Sequence, residues 1–158
     1  MFRKILVGTD FSEPADAARR MAIDLARRLG AELEIVHVEE PLPAYAFSEG
    51  ALPDLPRLQE KVRSSAERQL EDQAKEARGA GIPVRTTVLP GTPANTIVER
   101  ARTEGVDLIV VGTHGRTGLE HVLIGSVAER VVRYASCPVL TVKDAPSARQ
   151  ETRPKTAA

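Results

Sequence analysis

Short aliphatic runs alternate along the chain with longer stretches in which apolar residues recur at helical spacing. The aliphatic runs predict five strands, which are Phe2–Thr9, Glu32–Val38, Val84–Leu89, Asp107–Val111 and Pro138–Val142. The first and fourth runs have unbroken aliphatic cores, which is typical of central parallel strands buried on both faces. The third run is weaker because threonines occupy its middle.

The intervening stretches predict four helices. The first has signals at both ends, with Ser12 as its N-cap, Pro14 in its first turn and Gly30 just past its last turn. The others are a long helix with an apolar stripe from Leu58 through Val62 to Ala74, a helix that opens at Thr92-Pro93 and a helix that opens at Gly125-Ser126. Strands that alternate with helices in this order predict a doubly wound α/β fold, in which helices cover both faces of a parallel sheet.

Two segments do not fit the alternation. The segment Glu40–Pro56 contains four of the 11 prolines and two aromatic residues, which predicts a long loop or lid. The segment Asp144–Ala158 has no aliphatic residue larger than alanine, which predicts a disordered tail. We therefore expect one domain over residues 1–143, followed by a tail over residues 144–158.

Composition narrows the class of protein. The chain has 158 residues, and its 22 basic and 22 acidic residues give a formal net charge of zero. A protein that binds nucleic acid through a basic face normally has a clear positive excess, so we expect no nucleic-acid partner. No apolar run approaches the roughly 18 residues of a membrane span, so we expect no membrane partner and a cytoplasmic location. The single cysteine, Cys137, leaves no disulfide framework and is best interpreted as a small buried residue.

Ligands of doubly wound sheets bind beyond the carboxyl ends of the strands, so the loops after the strands are the first places to search for chemistry. Asp10 follows the first strand, where a carboxylate can meet a ribose hydroxyl or a magnesium ion. It can equally be a turn residue near the start of a helix.

The loop after the fourth strand is rich in glycine from Gly112 to Gly118, and Gly125-Ser126 follows at the start of a helix. Glycines allow close approach of the backbone, and amides at a helix N-terminus bind anions. This pattern favours a phosphate cradle in two parts, although a structural turn would use the same residues. It is neither a Walker A loop, since no lysine follows Gly118, nor the dinucleotide-binding glycine motif of a first strand.

These residues resemble a known family. Gly112, Gly115, Gly125 and Ser126 fill the pattern G-x2-G-x9-G-[ST] with both spacings intact. Their flanks, the opening segment Ile5–Ser12 and the closing segment Cys137–Val142 are all similar to universal stress proteins. The resemblance covers residues 1–143 and points to the branch of the family that binds ATP.

The resemblance implies a Rossmann-like, three-layer fold with strand order 3-2-1-4-5, and a homodimer. The last strand, Pro138–Val142, would be an edge of that sheet and is the expected dimer contact. ATP and Mg²⁺ are the implied cofactors, with Asp10 near the ribose, the phosphates or the metal and the backbone of Val38 at the adenine. The implied nucleotide-binding residues are Thr9, Asp10, Val38, Gly112, His114, Gly115, Arg116, Gly125, Ser126 and Val127.

We therefore predict a nucleotide-dependent stress-response or signalling module with little or no ATP turnover. An ATPase or a nucleotidyl transferase on the same fold is the alternative. A flavodoxin-like receiver is disfavoured, because the fourth strand ends in Gly112 and not in an aspartate.

His37 is interpreted as a packed residue of the second strand more readily than as a ligand. No serine lies in the G-x-S-x-G pattern of a nucleophile.

Overall fold

The computed structural model describes residues 1–41, 55–113 and 124–143. Within these ranges, strands and helices alternate along the chain as the sequence predicts. The elements are β1 (Lys4–Gly8), α1 (Glu13–Leu29), β2 (Glu32–Glu39), α2 (Leu55–Gly79), β3 (Val84–Pro90), α3 (Pro93–Thr103), β4 (Leu108–Gly112), α4 (Ser126–Tyr134) and β5 (Val139–Val142).

The strands of these ranges form one parallel sheet in the order β3-β2-β1-β4-β5. This order confirms the predicted doubly wound fold. The sheet reverses its winding between β1 and β4, which lie side by side with Leu6 opposite Ile109. The carboxyl ends of β1 and β4 therefore border the crevice where ligands of such sheets bind.

Two apolar clusters, one on each face of the sheet, form the core. Ile5 and Val7 of β1 point to the cluster that includes buried residues of α1 and α2. Leu6, between them, points to the cluster that includes buried residues of α3 and α4. The side chains of Ile5, Leu6 and Val7 are fully buried. This burial on both faces explains why the sequence of β1 shows an unbroken aliphatic run.

The first helix begins and ends where its capping signals indicate. The Oγ of Ser12 accepts a hydrogen bond from the backbone N–H of Ala15, and Gly30 ends the helix with φ of 63°. A left-handed residue of this kind is the usual helix stop, and glycine adopts it without strain. The side chain of Met21 on this helix is half exposed.

The second helix differs from its prediction at its N-terminal end. It begins at Leu55, so Pro56 lies in its first turn and not in the preceding loop, as proline can without losing a helical hydrogen bond. Leu58 and Val62 are half exposed, although they belong to the predicted apolar stripe. A helix of 25 residues is about 37 Å long, whereas the strands beneath it have eight residues or fewer. The first turns of α2 therefore extend beyond the sheet.

The predicted tail, residues 144–158, and most of the predicted loop, residues 42–54, lie outside the described residues. The described helices include none that is long and apolar enough to cross a membrane.

The amino ends of β1 and β4 are joined by a carboxylate. Asp107 Oδ2 accepts hydrogen bonds from the backbone N–H groups of Arg3 (2.8 Å) and Lys4 (3.0 Å). These two bonds lower the pKa of the Asp107 carboxyl below its ordinary value. Asp107 thus links the starts of β1 and β4 at the amino end of the sheet, and the opposite end carries the cleft.

Candidate functional site

A cleft of about 700 Å³ opens at the carboxyl ends of β1, β2 and β4. Its volume lies within the range of small-molecule sites, which is about 300–1,000 Å³. The end of β2 contributes Val38 and the two following glutamates, and α2 contributes Val62 and Gln69. The cleft therefore lies at the switch point of the sheet and extends towards the first turns of α2.

The turn between β1 and α1 forms one side of the cleft. Thr9 is buried, and its N–H donates to the carbonyl of Val36 at 2.9 Å. The Oγ1 of Thr9 accepts from the N–H of Phe11 at 3.1 Å. Asp10 Oδ1 accepts from both the N–H and the hydroxyl of Ser12. Asp10 is thus a turn residue and a cleft residue at once, so the two interpretations of its sequence position are compatible.

A pair of rings lies behind this turn. The rings of Phe11 and His37 have centroids 4.5 Å apart, and Nδ1 of His37 lies 2.9 Å from the carbonyl oxygen of Thr9. His37 is packed, as the sequence predicts, but it also lines the cleft. The hydrogen bond joins residues 28 positions apart, so no local spacing in the sequence could have indicated it.

The end of β4 packs tightly against α1. A Cβ atom on Gly112 would lie 2.7 Å from the carbonyl oxygen of Pro14 and 3.2 Å from the N–H nitrogen of Ala15. Glycine at this position therefore has a packing role that the glycine motif did not reveal. It allows the first turn of α1 to lie directly against the strand that leads into the glycine-rich loop.

The first turn of α4 faces the same cleft. Its N-cap is Gly125, which has no side chain to cap the helix, and Ser126, Val127 and Ala128 line the cleft. The N–H of Gly125 donates to the carbonyl of Thr113 at 2.6 Å, which fixes the start of the helix against the end of β4. The backbone amides of the following turn are the groups that a helix N-terminus offers to an anion.

The structure brings together the predicted nucleotide-binding residues that lie in the described ranges. Those that line the cleft are Thr9, Asp10, Val38, Gly112, Gly125, Ser126 and Val127. His114, Gly115 and Arg116 lie outside the described residues. Sequence reasoning missed Phe11, which lies beside Asp10, and it missed Pro93 and Ile97, which reach the cleft from α3, a helix with no ligand motif.

Two other kinds of site, a metal centre built from protein ligands alone and a reactive cysteine, find little support in the described part of the chain. It contains no group of three or more histidine, cysteine, aspartate or glutamate residues that could hold a metal ion by itself. Cys137 is half-buried and not fully buried as the sequence predicts, and this burial raises the pKa of its thiol, so the side chain stays protonated at neutral pH.

The fold and the cleft define a small doubly wound α/β protein with an open cleft at the switch point of its sheet. A sequence model described as the universal stress protein family matches residues 1–143. The chain belongs to this family. Universal stress protein MJ0531 of Methanocaldococcus jannaschii is 38% identical over 143 residues, an alignment that covers 90% of this chain and 83% of that protein.

Solved structures agree with this assignment. The structure of hypothetical protein MJ0577, from the same organism, superposes with a TM-score of 0.81 at 34% identity, covering 93% of this chain and 99% of the other. A universal stress protein from Archaeoglobus fulgidus, solved in complex with dAMP, superposes with a TM-score of 0.62 at 26% identity. That match covers 90% of this chain and 98% of the other.

Proposed function

We propose that this protein binds ATP with Mg²⁺ in the cleft and acts as a nucleotide-dependent stress-response or signalling module. The observation that carries the proposal is the convergence of the Asp10 turn and the first turn of α4 on one cleft. The adenine nucleotide bound to the Archaeoglobus fulgidus relative supports the same class of ligand.

The parts of the cleft suit different parts of a nucleotide. We assign the adenine to the backbone of Val38 at the end of β2, and the ribose and phosphates to the neighbourhood of Asp10 and the first turn of α4. The amides of Ser126, Val127 and Ala128 would bind phosphate without a charged side chain. His114, Gly115 and Arg116, which belong to the glycine-rich loop of the motif, are assigned to the phosphates by the family resemblance alone.

Asp10 is the candidate magnesium ligand. Mg²⁺ in nucleotide sites is typically held by one or two carboxylates together with phosphate oxygens and water. A single carboxylate at the phosphate end of the cleft fits that donor set, and the lack of a larger cluster in the described residues does not conflict with it. The ion would screen the charge of the phosphates from the carboxylate of Asp10.

We propose that ATP is bound with little or no turnover. Fast phosphoryl transfer needs cations on the terminal phosphate and a group that positions the attacking nucleophile. The described residues that line the cleft include no lysine and no arginine. Cationic help would then fall to Mg²⁺ and to Arg116. An ATPase or nucleotidyl transferase on the same fold remains the second candidate, and a steady-state rate near the median of about 10 s⁻¹ for enzymes would favour it.

The direct test is thermal unfolding of nucleotide-free protein with and without ATP and Mg²⁺. A ligand at about 100 times its Kd stabilises a protein by about 2.7 kcal/mol. For a chain of this size, that corresponds to a rise in Tm of roughly 5–10 °C. AMP and GTP in parallel would show whether the triphosphate and the adenine each contribute. No shift with millimolar ATP would contradict the proposal.

We also propose that the protein is a homodimer through β5. This strand is an edge of the sheet, and its aliphatic residues Val139, Leu140 and Val142 are only half buried in the single chain. An apolar edge of this kind favours pairing with another chain. Leu140→Lys should convert the dimer to a monomer in light scattering at micromolar concentration. Arg85→Lys on the opposite edge strand is the matched control, and a wild-type monomer or a mutant dimer would contradict the assignment.

The domain boundary after residue 143 and the cytoplasmic location stay predictions from the sequence.

A further inference from the structure

The turn between β1 and α1 contains an unusual backbone conformation. Phe11 has φ of 65°, and in the described part of the chain it is the only residue other than glycine with a positive φ. A bulky side chain makes the left-handed region unfavourable, so such a residue persists only where its surroundings hold it. Conformations of this kind cluster at binding sites, and Phe11 borders the cleft.

The surroundings that hold Phe11 include a side chain from β2, that of His37. The ring of His37 stacks against the ring of Phe11 with an interplanar angle of 34°. A carbonyl oxygen only accepts hydrogen bonds, so the contact between His37 Nδ1 and the oxygen of Thr9 means that Nδ1 carries the proton. His37 therefore contacts both residues that flank Asp10, one through a hydrogen bond and the other through its ring.

Besides this contact, the turn makes local hydrogen bonds and a backbone bond to β2. The bonds from Ser12 to Asp10 Oδ1 and from Phe11 to Thr9 Oγ1 are local, since each joins residues two positions apart. They fix the shape of the turn but not its position relative to β2. The bond from the N–H of Thr9 to Val36 reaches β2 through the backbone, but it leaves the carbonyl side of Thr9 to His37.

We infer that His37 is a positioning residue of the cleft, which fixes the Asp10 turn relative to the end of β2. This inference rests on the proposed nucleotide site and deepens it. Val38 directly follows His37 in β2, so the residue that holds the Asp10 turn also precedes the backbone assigned to the base. The two halves of the site are thereby held at a fixed separation before a nucleotide arrives, which lowers the ordering cost of binding.

Two substitutions separate the hydrogen bond of His37 from its ring. His37→Phe keeps a ring against Phe11 but removes the donor to Thr9. His37→Asn removes the ring but places an amide N–H at the same number of bonds from the backbone as Nδ1. If the hydrogen bond positions the turn, His37→Phe should weaken ATP binding roughly threefold to tenfold, as loss of a neutral hydrogen bond does. His37→Asn should restore the wild-type Kd to within about twofold.

A merely structural role would give a different result. Ile82→Val is the matched control, because Ile82 is a buried residue just before β3, at the opposite end of the sheet from the cleft. This control should lower Tm and leave the Kd for ATP unchanged, both measured well below Tm. An unchanged Kd in His37→Phe, or a Kd in His37→Asn as weak as in His37→Phe, would overturn the inference.

Amide hydrogen exchange of ligand-free protein separates this inference from the proposed function. His37→Phe should speed exchange at Thr9 and Phe11, whose amides donate to the carbonyl of Val36 and to Oγ1 of Thr9, and leave Leu6 and Ile109 in the sheet unchanged. Wild-type protein that binds no nucleotide would contradict the proposed function, whatever the exchange shows. Unchanged exchange at the turn would contradict the positioning role, even if ATP binds.

Discussion

Two helices begin at the same cleft with opposite chemistry. At α1, Ser12 caps the first turn with its own hydroxyl oxygen, and Asp10 in turn binds Ser12. At α4, the N-cap is Gly125, which offers no side chain to the amides that follow it. The N-cap of the first helix supplies a side-chain acceptor to its first turn, whereas the N-cap of the second supplies none.

Charge reinforces this difference. The first turn of α1 carries Glu13 and Asp16. Their negative charges interact favourably with the positive end of the helix dipole and would repel an incoming anion. The first turn of α4 carries one acidic residue instead of two, Glu129 at its fourth position, and Ser126 to Ala128 before it carry no charge. Of these two neighbouring helix starts, α4 is the one suited to phosphate and α1 is the one suited to holding Asp10.

The largest expected effect is on ATP affinity, and it comes from giving α4 a side-chain N-cap such as the one that α1 has. In Gly125→Asp, the carboxylate should accept from the amides of Val127 or Ala128 and repel phosphate. The φ of −73° at this position suits any residue. We expect ATP affinity to fall roughly tenfold to hundredfold, since charge-assisted hydrogen bonds are lost. Stability should rise by only about a few tenths of a kcal/mol.

Gly125→Asn is the matched control for that prediction, because it can cap the helix without a charge. Titration calorimetry with ATP and thermal unfolding of all three proteins would separate capping from repulsion. Tight ATP binding by the aspartate variant would show that the first turn of α4 does not bind phosphate.

The second prediction tests whether Gly112 serves the phosphate cradle or the packing of β4 against α1. In Gly112→Ala, the new Cβ would collide with the backbone of Pro14, and the neighbouring backbone cannot yield easily. Overpacking of this kind costs about 1–3 kcal/mol, which should lower Tm by roughly 2–12 °C. Gly79→Ala is the control, because a Cβ at that helical position meets nothing within 4 Å. Equal Tm values for the two variants would contradict the packing role.

The smallest effect comes from removing the cap of α1. Ser12→Ala deletes the hydroxyl that accepts from Ala15 and donates to Asp10. Loss of a serine N-cap costs about 1 kcal/mol, so Tm should fall by roughly 2–4 °C. Because the cap serves the helix and not the ligand, the Kd for ATP should change less than about threefold. Ser12→Thr keeps the hydroxyl and should retain both values, whereas a large loss of affinity in Ser12→Ala would give the cap a role in binding.

The sequence by itself determined the order of the elements and the class of the fold. Fully buried strands such as β1 need aliphatic residues on both faces, and helix ends such as Ser12 and Gly30 need residues with particular backbone preferences. These demands act between near neighbours in the chain, so they leave local patterns. The glycine motif likewise marked the end of β4 and the start of α4, which both line the cleft.

Tertiary structure alone decided how the cleft is held together. The packing of Gly112 against Pro14 joins β4 to α1, and the bond from His37 to Thr9 joins β2 to the turn after β1. The exposure of Val62 likewise depends on how far α2 extends beyond the strands. Contacts of this kind depend on distances between elements that are remote in the chain. A residue of a given type can make such contacts in many different arrangements. They therefore leave no periodic or spaced signal in a single sequence.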